Sequence, residues 1–75
     1  MANRKNYWTA RHDEGWTVKR EGSGRAASVH ASQSAAWDET RRLARGAGGE
    51  AYLKGRDGQI RARNSYGHDP YPPKG

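Results

Sequence analysis

The sequence predicts an α+β domain in which one amphipathic helix packs on one face of an antiparallel β-sheet. Five short runs alternate between apolar and polar residues, as strands do, and one longer run repeats its apolar residues at helical spacing. The runs follow one another in the order β-β-β-α-β-β. One helix with one apolar stripe can cover one face of one sheet, so the other face is expected to stay open.

Three strands are predicted in the first half of the chain. Residues 7–11 and 16–20 alternate and are joined by a polar, Gly-containing turn at 12–15, which indicates a hairpin. Residues 26–30 form a weaker third strand, because alanine is a poor strand former. The side chains expected to face the helix are Trp8, Ala10, Trp16, Val18, Ala27 and Val29.

The helix is predicted over residues 33–45. Ser32 is a suitable N-cap, and Gly-rich residues 46–49 supply the stop. The run contains no proline or glycine, and its apolar positions recur every three or four residues. The stripe consists of Ala36, Trp37, Thr40, Leu43, Ala44 and Ala47.

A second hairpin is predicted after the helix. Residues 50–54 and 59–63 alternate, and the Asp-Gly pair in the turn between them favours a tight hairpin. The residues expected to face the helix are Ala51, Leu53, Ile60 and Ala62. The residues expected on the open face of the whole sheet are Tyr7, Thr9, Arg11, Thr17, Lys19, Tyr52, Lys54, Arg61 and Arg63.

The domain boundaries follow from these elements. Residues 7–63 are expected to form a single domain, preceded by a flexible segment at 1–6. Residues 64–75 contain all three prolines and predict an irregular or polyproline-like tail. Such a tail either packs over the tryptophans of the domain or recruits a partner with an aromatic groove.

Composition limits the classes of partner. The 75 residues include 14 Lys and Arg against 8 Asp and Glu, a net charge of +6, which favours polyanions or acidic protein surfaces. Cysteine is absent, which excludes disulfides and thiolate metal sites, and the apolar inventory is small enough that a homodimer is a reasonable expectation. No apolar run approaches the ~20 residues of a membrane span, and no secretion signal is recognisable, so we expect a cytoplasmic protein that does not engage membranes.

Nothing in the sequence predicts an enzyme. His12, His30 and His68 lack ligand partners at metal-binding spacing, and no serine sits in a nucleophile turn. The glycines at 46–49 follow a helix instead of preceding one, so they do not form a phosphate loop. We therefore expect no catalytic residues, no metal and no cofactor.

The open face carries the functional prediction. Basic and aromatic side chains together are typical of surfaces that contact nucleic-acid phosphates, and a short sheet can enter the major groove of duplex DNA. The alternative is a protein-interaction module, either a homodimer or a small inhibitor that docks on an acidic protein surface. The predicted contact residues are Lys19, Tyr52, Lys54, Arg56, Arg61 and Arg63.

Four segments resemble a known family. They are the GWTVKREG run at 15–22, ASVH at 27–30, GRDGQIR at 55–61, and the SYGHDPYPPKG ending at 65–75. From residue 15 onward the chain is similar to short bacterial proteins grouped as domain-of-unknown-function family 2188. The resemblance implies a small domain, and it brings no activity, cofactor or site residue with it.

Overall fold

The computed structural model describes residues 5–13 and 15–66 of the chain. The α+β class and the succession of elements agree with the sequence prediction. The elements are β1 (Tyr7–His12), β2 (Gly15–Arg20), β3 (Ala26–His30), α1 (Gln33–Ala47), β4 (Glu50–Lys54) and β5 (Ile60–Ser65). The last strand begins one residue later and ends two residues later than predicted. The expectations for residues 1–4 and for the tail from residue 67 lie outside the described residues.

The five strands form one mixed sheet in the spatial order β3-β2-β1-β4-β5. The expectation of an entirely antiparallel sheet is wrong for one pair, since β1 and β4 are parallel. The cause is the path of the chain: α1 runs back along the sheet between β3 and β4, so β4 starts at the same end as β3 and runs parallel to it. The other three pairs are antiparallel, as expected.

The helix begins and ends where the local signals indicated, within two residues. Ser32 is the N-cap, with φ −126°, and its hydroxyl accepts a hydrogen bond from the amide of Ala35. The helix continues through Gly46 and Ala47 and ends at Gly48, whose φ of +75° is the left-handed conformation that glycine adopts readily.

The core lies between α1 and the middle of the sheet. Trp16 and Val18 of β2 and Ala51 of β4 are buried, as predicted, and they face a helix stripe whose buried members are Ala36, Thr40 and Ala44. Because the buried helix residues are small, the helix backbone can approach the sheet closely. Tyr7 and Leu43 pack at the margin of this cluster.

The predicted orientation of β1 is wrong. Thr9 is fully buried beneath the helix and forms a hydrogen bond with Thr40 of α1, whereas Trp8 lies on the opposite face beside Tyr52. Tyr7, Thr9 and Arg11 are therefore on the helix side, and Trp8 and Ala10 are on the open face. Because Thr9 pairs with Thr40 beneath the helix, the alternation of side chains along β1 places Trp8 on the opposite face.

The predicted orientations of β3 and of the start of β5 are also wrong. Val29 pairs with Thr17 and is 63% exposed on the open face. In β5 the register shifts by one residue at Arg61, so that Ile60 pairs with Lys54 and is 54% exposed. A bulge of this kind interrupts the alternation of side chains. The face on which Arg63 lies therefore does not predict the face of the residues before the bulge.

Candidate nucleic-acid interface

Four strands each contribute one residue to a row across the open face, the side of the sheet that α1 does not cover. The registers pair Trp8 with Lys19 on β2 and with Tyr52 on β4, and they pair Tyr52 with Arg63 on β5. We call these four residues the central row. Lys54 lies two residues beyond Tyr52 and shares its face. Four predicted contact residues, Lys19, Tyr52, Lys54 and Arg63, thus come together.

Two aromatic rings form the middle of the central row. The rings of Trp8 and Tyr52 are stacked, with centroids 4.2 Å apart and an interplanar angle of 20°. Their polar edges are anchored as well: the indole Nε1 donates to Oε1 of Glu21 at 3.2 Å, and the Tyr52 hydroxyl donates to Oε1 of Glu50 at 2.6 Å. The pair is therefore held by both ring contact and hydrogen bonds.

The cations surround the ring pair. The Nζ of Lys54 lies 5.1 Å from the ring centroid of Trp8, within the range of a cation–π contact. The side chain of Arg63 is 63% exposed, and its Nε is 4.0 Å from Oε1 of Glu50. Lys19 is exposed and has no carboxylate partner within the described part of the chain. All three cationic groups can thus reach a ligand above the sheet.

Glu50 changes the titration of the neighbouring phenol. Its hydrogen bond to the hydroxyl, followed by partial burial, raises the pKa of Tyr52 above the ordinary value of 10.0. Tyr52 is therefore a neutral hydroxyl throughout the physiological range. The hydroxyl already donates its hydrogen bond to Glu50. Tyr52 therefore presents only a ring edge and an oxygen lone pair to a ligand.

A shallow cleft of about 410 Å³ lies over the open face beside the central row. Its walls include Trp8, Lys19 and Lys54, together with the small residues Ala10 and Thr17 of β1 and β2. The small residues leave room above the sheet, and the lysines give the cleft a positive rim. Glu21, the acceptor for the indole, also lines it.

The two ends of the open face are apolar. Val29, on the edge strand β3, and Ile60, on the edge strand β5, are the large apolar side chains that are exposed among residues 5–13 and 15–66. Val29 pairs with Thr17 and Ile60 pairs with Lys54, so both flank the cleft. Sequence patterning assigned both to the core because it treats every alternating apolar residue alike.

Arg56 and Arg61 lie apart from the other predicted contact residues. Arg61 lines a cleft with Trp16 and Leu53, which belong to the helix side of the sheet, and Arg56 lines the same cleft. The Nη2 of Arg61 is also 2.9 Å from Oδ2 of Asp57. The predicted site therefore divides between two surfaces, and the predicted alignment of Arg61 with Arg63 is wrong.

Trp8 is the member of the central row that sequence reasoning missed. Trp8 and Ala10 form one alternate set of side chains on β1, and Tyr7 and Thr9 belong to the other. Either set could be buried, so the sequence does not decide which one faces the helix. The decisive contact is the one between Thr9 and Thr40, which joins residues far apart in the chain. No local signal in residues 7–11 carries that information.

The histidines form no cluster suited to metal binding. His12 is exposed, with Nε2 3.3 Å from Asp13, and His30 shares a 2.8 Å hydrogen bond with Ser28. Within the described ranges no group of three or more potential metal-ligating side chains is found. His68 lies outside those ranges.

Among the residues that the structure describes, no helix is long and apolar enough to cross a membrane.

Comparison with known protein families gives a match over most of the chain. The model of a family described as an uncharacterised protein conserved in bacteria (DUF2188) matches residues 7–66. The chain belongs to this family. The match includes every strand and the helix, so this DUF2188 domain is the whole of the fold described above. No curated protein matches the chain, and no solved structure matches it.

Proposed function

We propose that this DUF2188 protein binds nucleic acid, with duplex DNA as its ligand, through the open face of its sheet. The observation that carries the proposal is the central row, in which Lys19 and Arg63 flank a fixed aromatic pair while Lys54 lies beside it. Phosphate contacts by such side chains supply most of the affinity of sequence-independent DNA binding. A cytoplasmic location is part of the proposal.

The geometry of the row favours a duplex over a single strand. At ~4.8 Å per strand, a row of four strands extends over roughly 14 Å, which is comparable with the ~12 Å width of the major groove of B-DNA. Single-strand binders instead stack bases on open aromatic faces. Here Tyr52 stacks on Trp8 and the Lys54 ammonium lies over the indole, so little ring surface remains for a base.

The distribution of charge supports the choice of face. Arg41 and Arg42 on the helix form ion pairs with Asp38 and Glu39, each three residues earlier in the chain. These pairs lower the positive potential of the exposed helix side. On the open face, Lys19 has no such partner in the part of the chain that is described, and Lys54 contacts a ring.

Fluorescence anisotropy with a labelled 20-base-pair duplex tests the proposal. The double variant Lys19→Gln, Arg63→Gln should bind more weakly than the wild type, and its slope of log affinity against log salt should shrink by about 2 because two phosphate contacts are lost. The matched control is Arg25→Gln, Arg45→Gln, which removes the same charge from exposed arginines away from the central row.

The outcomes distinguish binding at the central row from binding that depends only on the net charge of the protein. A control variant that weakens binding as much as the test variant would mean that only the overall charge matters. Absence of binding to duplex at low salt would refute the proposal, and equal or tighter binding to single-stranded DNA or RNA would refute the choice of ligand. The control should keep the wild-type salt slope within error.

A second candidate function is supported by the exposed Val29 and Ile60. Protein interfaces combine an apolar and aromatic centre with a polar rim, and these two residues extend the apolar part of the open face to both edge strands. The partner would be a second copy of the chain or an acidic protein surface. The salt dependence distinguishes the homodimer from DNA binding, because salt weakens the attraction between opposite charges and screens the repulsion between like charges.

A further inference from the structure

A second cleft lies on the helix side of the sheet, at the edge where the parallel strands β1 and β4 end. Its volume is about 730 Å³. Three arginines line it, Arg11, Arg56 and Arg61, together with Trp16 and Leu53. A volume of this size is within the ~300–1,000 Å³ range of small-molecule sites.

The mixed topology brings the three arginines together. Arg11 is the penultimate residue of β1, Arg56 is in the turn that follows β4, and Arg61 is the second residue of β5. Parallel strands end at the same edge of a sheet, so Arg11 and the β4–β5 turn become neighbours although they are far apart in the chain. An antiparallel pairing of β1 and β4 would place them at opposite edges.

Two of the guanidinium groups are held in position. That of Arg11 lies 5.6 Å from the ring centroid of Trp16, and its Nε donates to the backbone oxygen of Asp13 at 3.2 Å. The side chain of Arg61 passes directly over Gly55, where a Cβ would come within 2.8 Å of its Nε. Gly55 is buried, so the arginine uses the space that the missing side chain leaves.

The cleft has an excess of positive charge. Asp57 is the carboxylate that pairs with one of its arginines, through the 2.9 Å contact with Arg61. Arg11 and Arg56 are exposed, and neither has a carboxylate partner in residues 5–13 and 15–66. Apart from the Nε–H of Arg11, which donates to the backbone oxygen of Asp13, the donors of these two arginines are available to an anion.

We propose that this cleft binds the phosphate group of a small ligand of about nucleotide size. The planar guanidinium donates two parallel hydrogen bonds to a phosphate, and the higher charge and third oxygen of a phosphate monoester suit a cluster of three arginines. Arg11 and Arg56 make the direct contacts, and Arg61, oriented by Asp57 and Gly55, closes the third side. Arg11 also lines the open-face cleft, but the site includes no residue of the central row and does not depend on the function proposed for that row.

Nuclear magnetic resonance titration with adenosine monophosphate tests the proposal, with inorganic phosphate and adenosine as companion ligands. Adenosine monophosphate and phosphate should shift the side-chain Nε–H signals of Arg11, Arg56 and Arg61, and adenosine should not. Arg11→Gln and Arg56→Gln should each weaken binding about tenfold, the effect of losing a charge-assisted contact. Arg25→Gln is the matched control and should bind as the wild type does.

Gly55→Ala provides a test that leaves every charge in place. The added methyl group displaces the Arg61 side chain from its position over residue 55, so adenosine monophosphate should bind several-fold more weakly. If Gly55→Ala does not fold, Arg61→Gln tests directly whether the Arg61 side chain is needed for binding.

Three results would overturn the proposal. They are equal binding of adenosine and adenosine monophosphate, equal losses in Arg25→Gln and Arg56→Gln, and no arginine shift at millimolar ligand. The variant Lys19→Gln, Arg63→Gln should retain adenosine monophosphate binding, so failure of the cleft and failure of the open-face proposal are distinguishable.

Discussion

Thr9 and Thr40 are the polar pair at the centre of the protein. Both are fully buried, and their hydroxyl groups share a hydrogen bond. The Thr40 hydroxyl donates to the backbone oxygen of Ala36 at 2.8 Å. Since a hydroxyl has one proton, the Thr9 hydroxyl is the donor between the two threonines. Thr9 therefore depends on Thr40 for its partner, whereas Thr40 keeps its own bond without Thr9.

This asymmetry predicts unequal costs of substitution. Thr40→Val leaves the buried Thr9 donor unpaired and should lower the free energy of unfolding by about 1–3 kcal/mol, whereas Thr9→Val should cost about 0.5–1.5 kcal/mol. The double variant should be more stable than the sum of the two single effects implies, because no donor is then left unpaired. Urea unfolding measures all four proteins, and strictly additive effects would contradict the assigned direction of the bond.

Individual residues show what the sequence can predict about facing direction. Trp16, Val18 and Ala51 face the helix as expected. Each is an apolar residue at a strand position whose immediate neighbours in the sequence were predicted to face the other way. Trp8 and Val29 do not face the helix, because both parities of their strands contain residues that could be buried. The space beneath the helix decides which alternate set of side chains on a strand faces it. That space depends on contacts between distant segments of the chain.

The helix was the most predictable element because its signals are local. A capping serine, an uninterrupted stripe and a glycine stop lie within residues 32–49, and the structure follows them. The strand pairing was less predictable. The parallel contact between β1 and β4 and the shift of register at Arg61 depend on how the helix returns the chain and how the last turn closes. The cleft of arginines follows from that pairing, so no sequence pattern could predict it.

The glycines at the end of α1 differ in what they permit, which gives a paired prediction. A Cβ on Gly49 would lie 1.9 Å from the backbone oxygen of Lys5, a contact that only movement of the backbone can relieve. Gly49→Ala should therefore destabilise the fold by roughly 1–3 kcal/mol. Gly46 is exposed within the helix and has nothing within 4 Å of its added Cβ.

Gly46→Ala is the control for Gly49→Ala and should have the opposite sign. Alanine is more favourable than glycine in a helix, by up to roughly 0.5–1 kcal/mol, and Gly46 lies in the last turn of α1. Thermal unfolding of the two variants should place the wild type between them. A Gly49→Ala protein as stable as the wild type would mean that the chain around Lys5 is not held against the helix end.

At the scale of the whole molecule, the two sides of the sheet differ in how their charges are used. The helix side holds the arginine cleft at one edge, and its exposed helix face carries ion pairs. The open face carries Lys19, Lys54 and Arg63 against two carboxylates, Glu21 and Glu50, that already accept hydrogen bonds from the rings. The net positive charge of the open face therefore lies on side chains that can reach outward.

This charge gives opposite salt dependences to DNA binding and to a homodimer. A nucleic-acid complex weakens as salt rises, because the release of counterions from the phosphates then contributes less free energy to binding. A face-to-face dimer would bring Lys19, Lys54 and Arg63 of two copies close together. Salt screens that repulsion and leaves the apolar contact of Val29 and Ile60 in place, so self-association should strengthen with salt.

Sedimentation equilibrium at low and high salt tests the dimer. If the open face pairs with a second copy, the wild type should shift toward dimer at high salt, and Val29→Ser, Ile60→Ser should stay monomeric at the same concentration. The loss of two exposed apolar side chains from the contact costs affinity, because their burial supplies the attraction. Ala35→Ser, on the exposed side of the helix, is the control and should dimerise as the wild type does. A wild type that stays monomeric at both salt concentrations would remove the homodimer and leave the open face to another ligand.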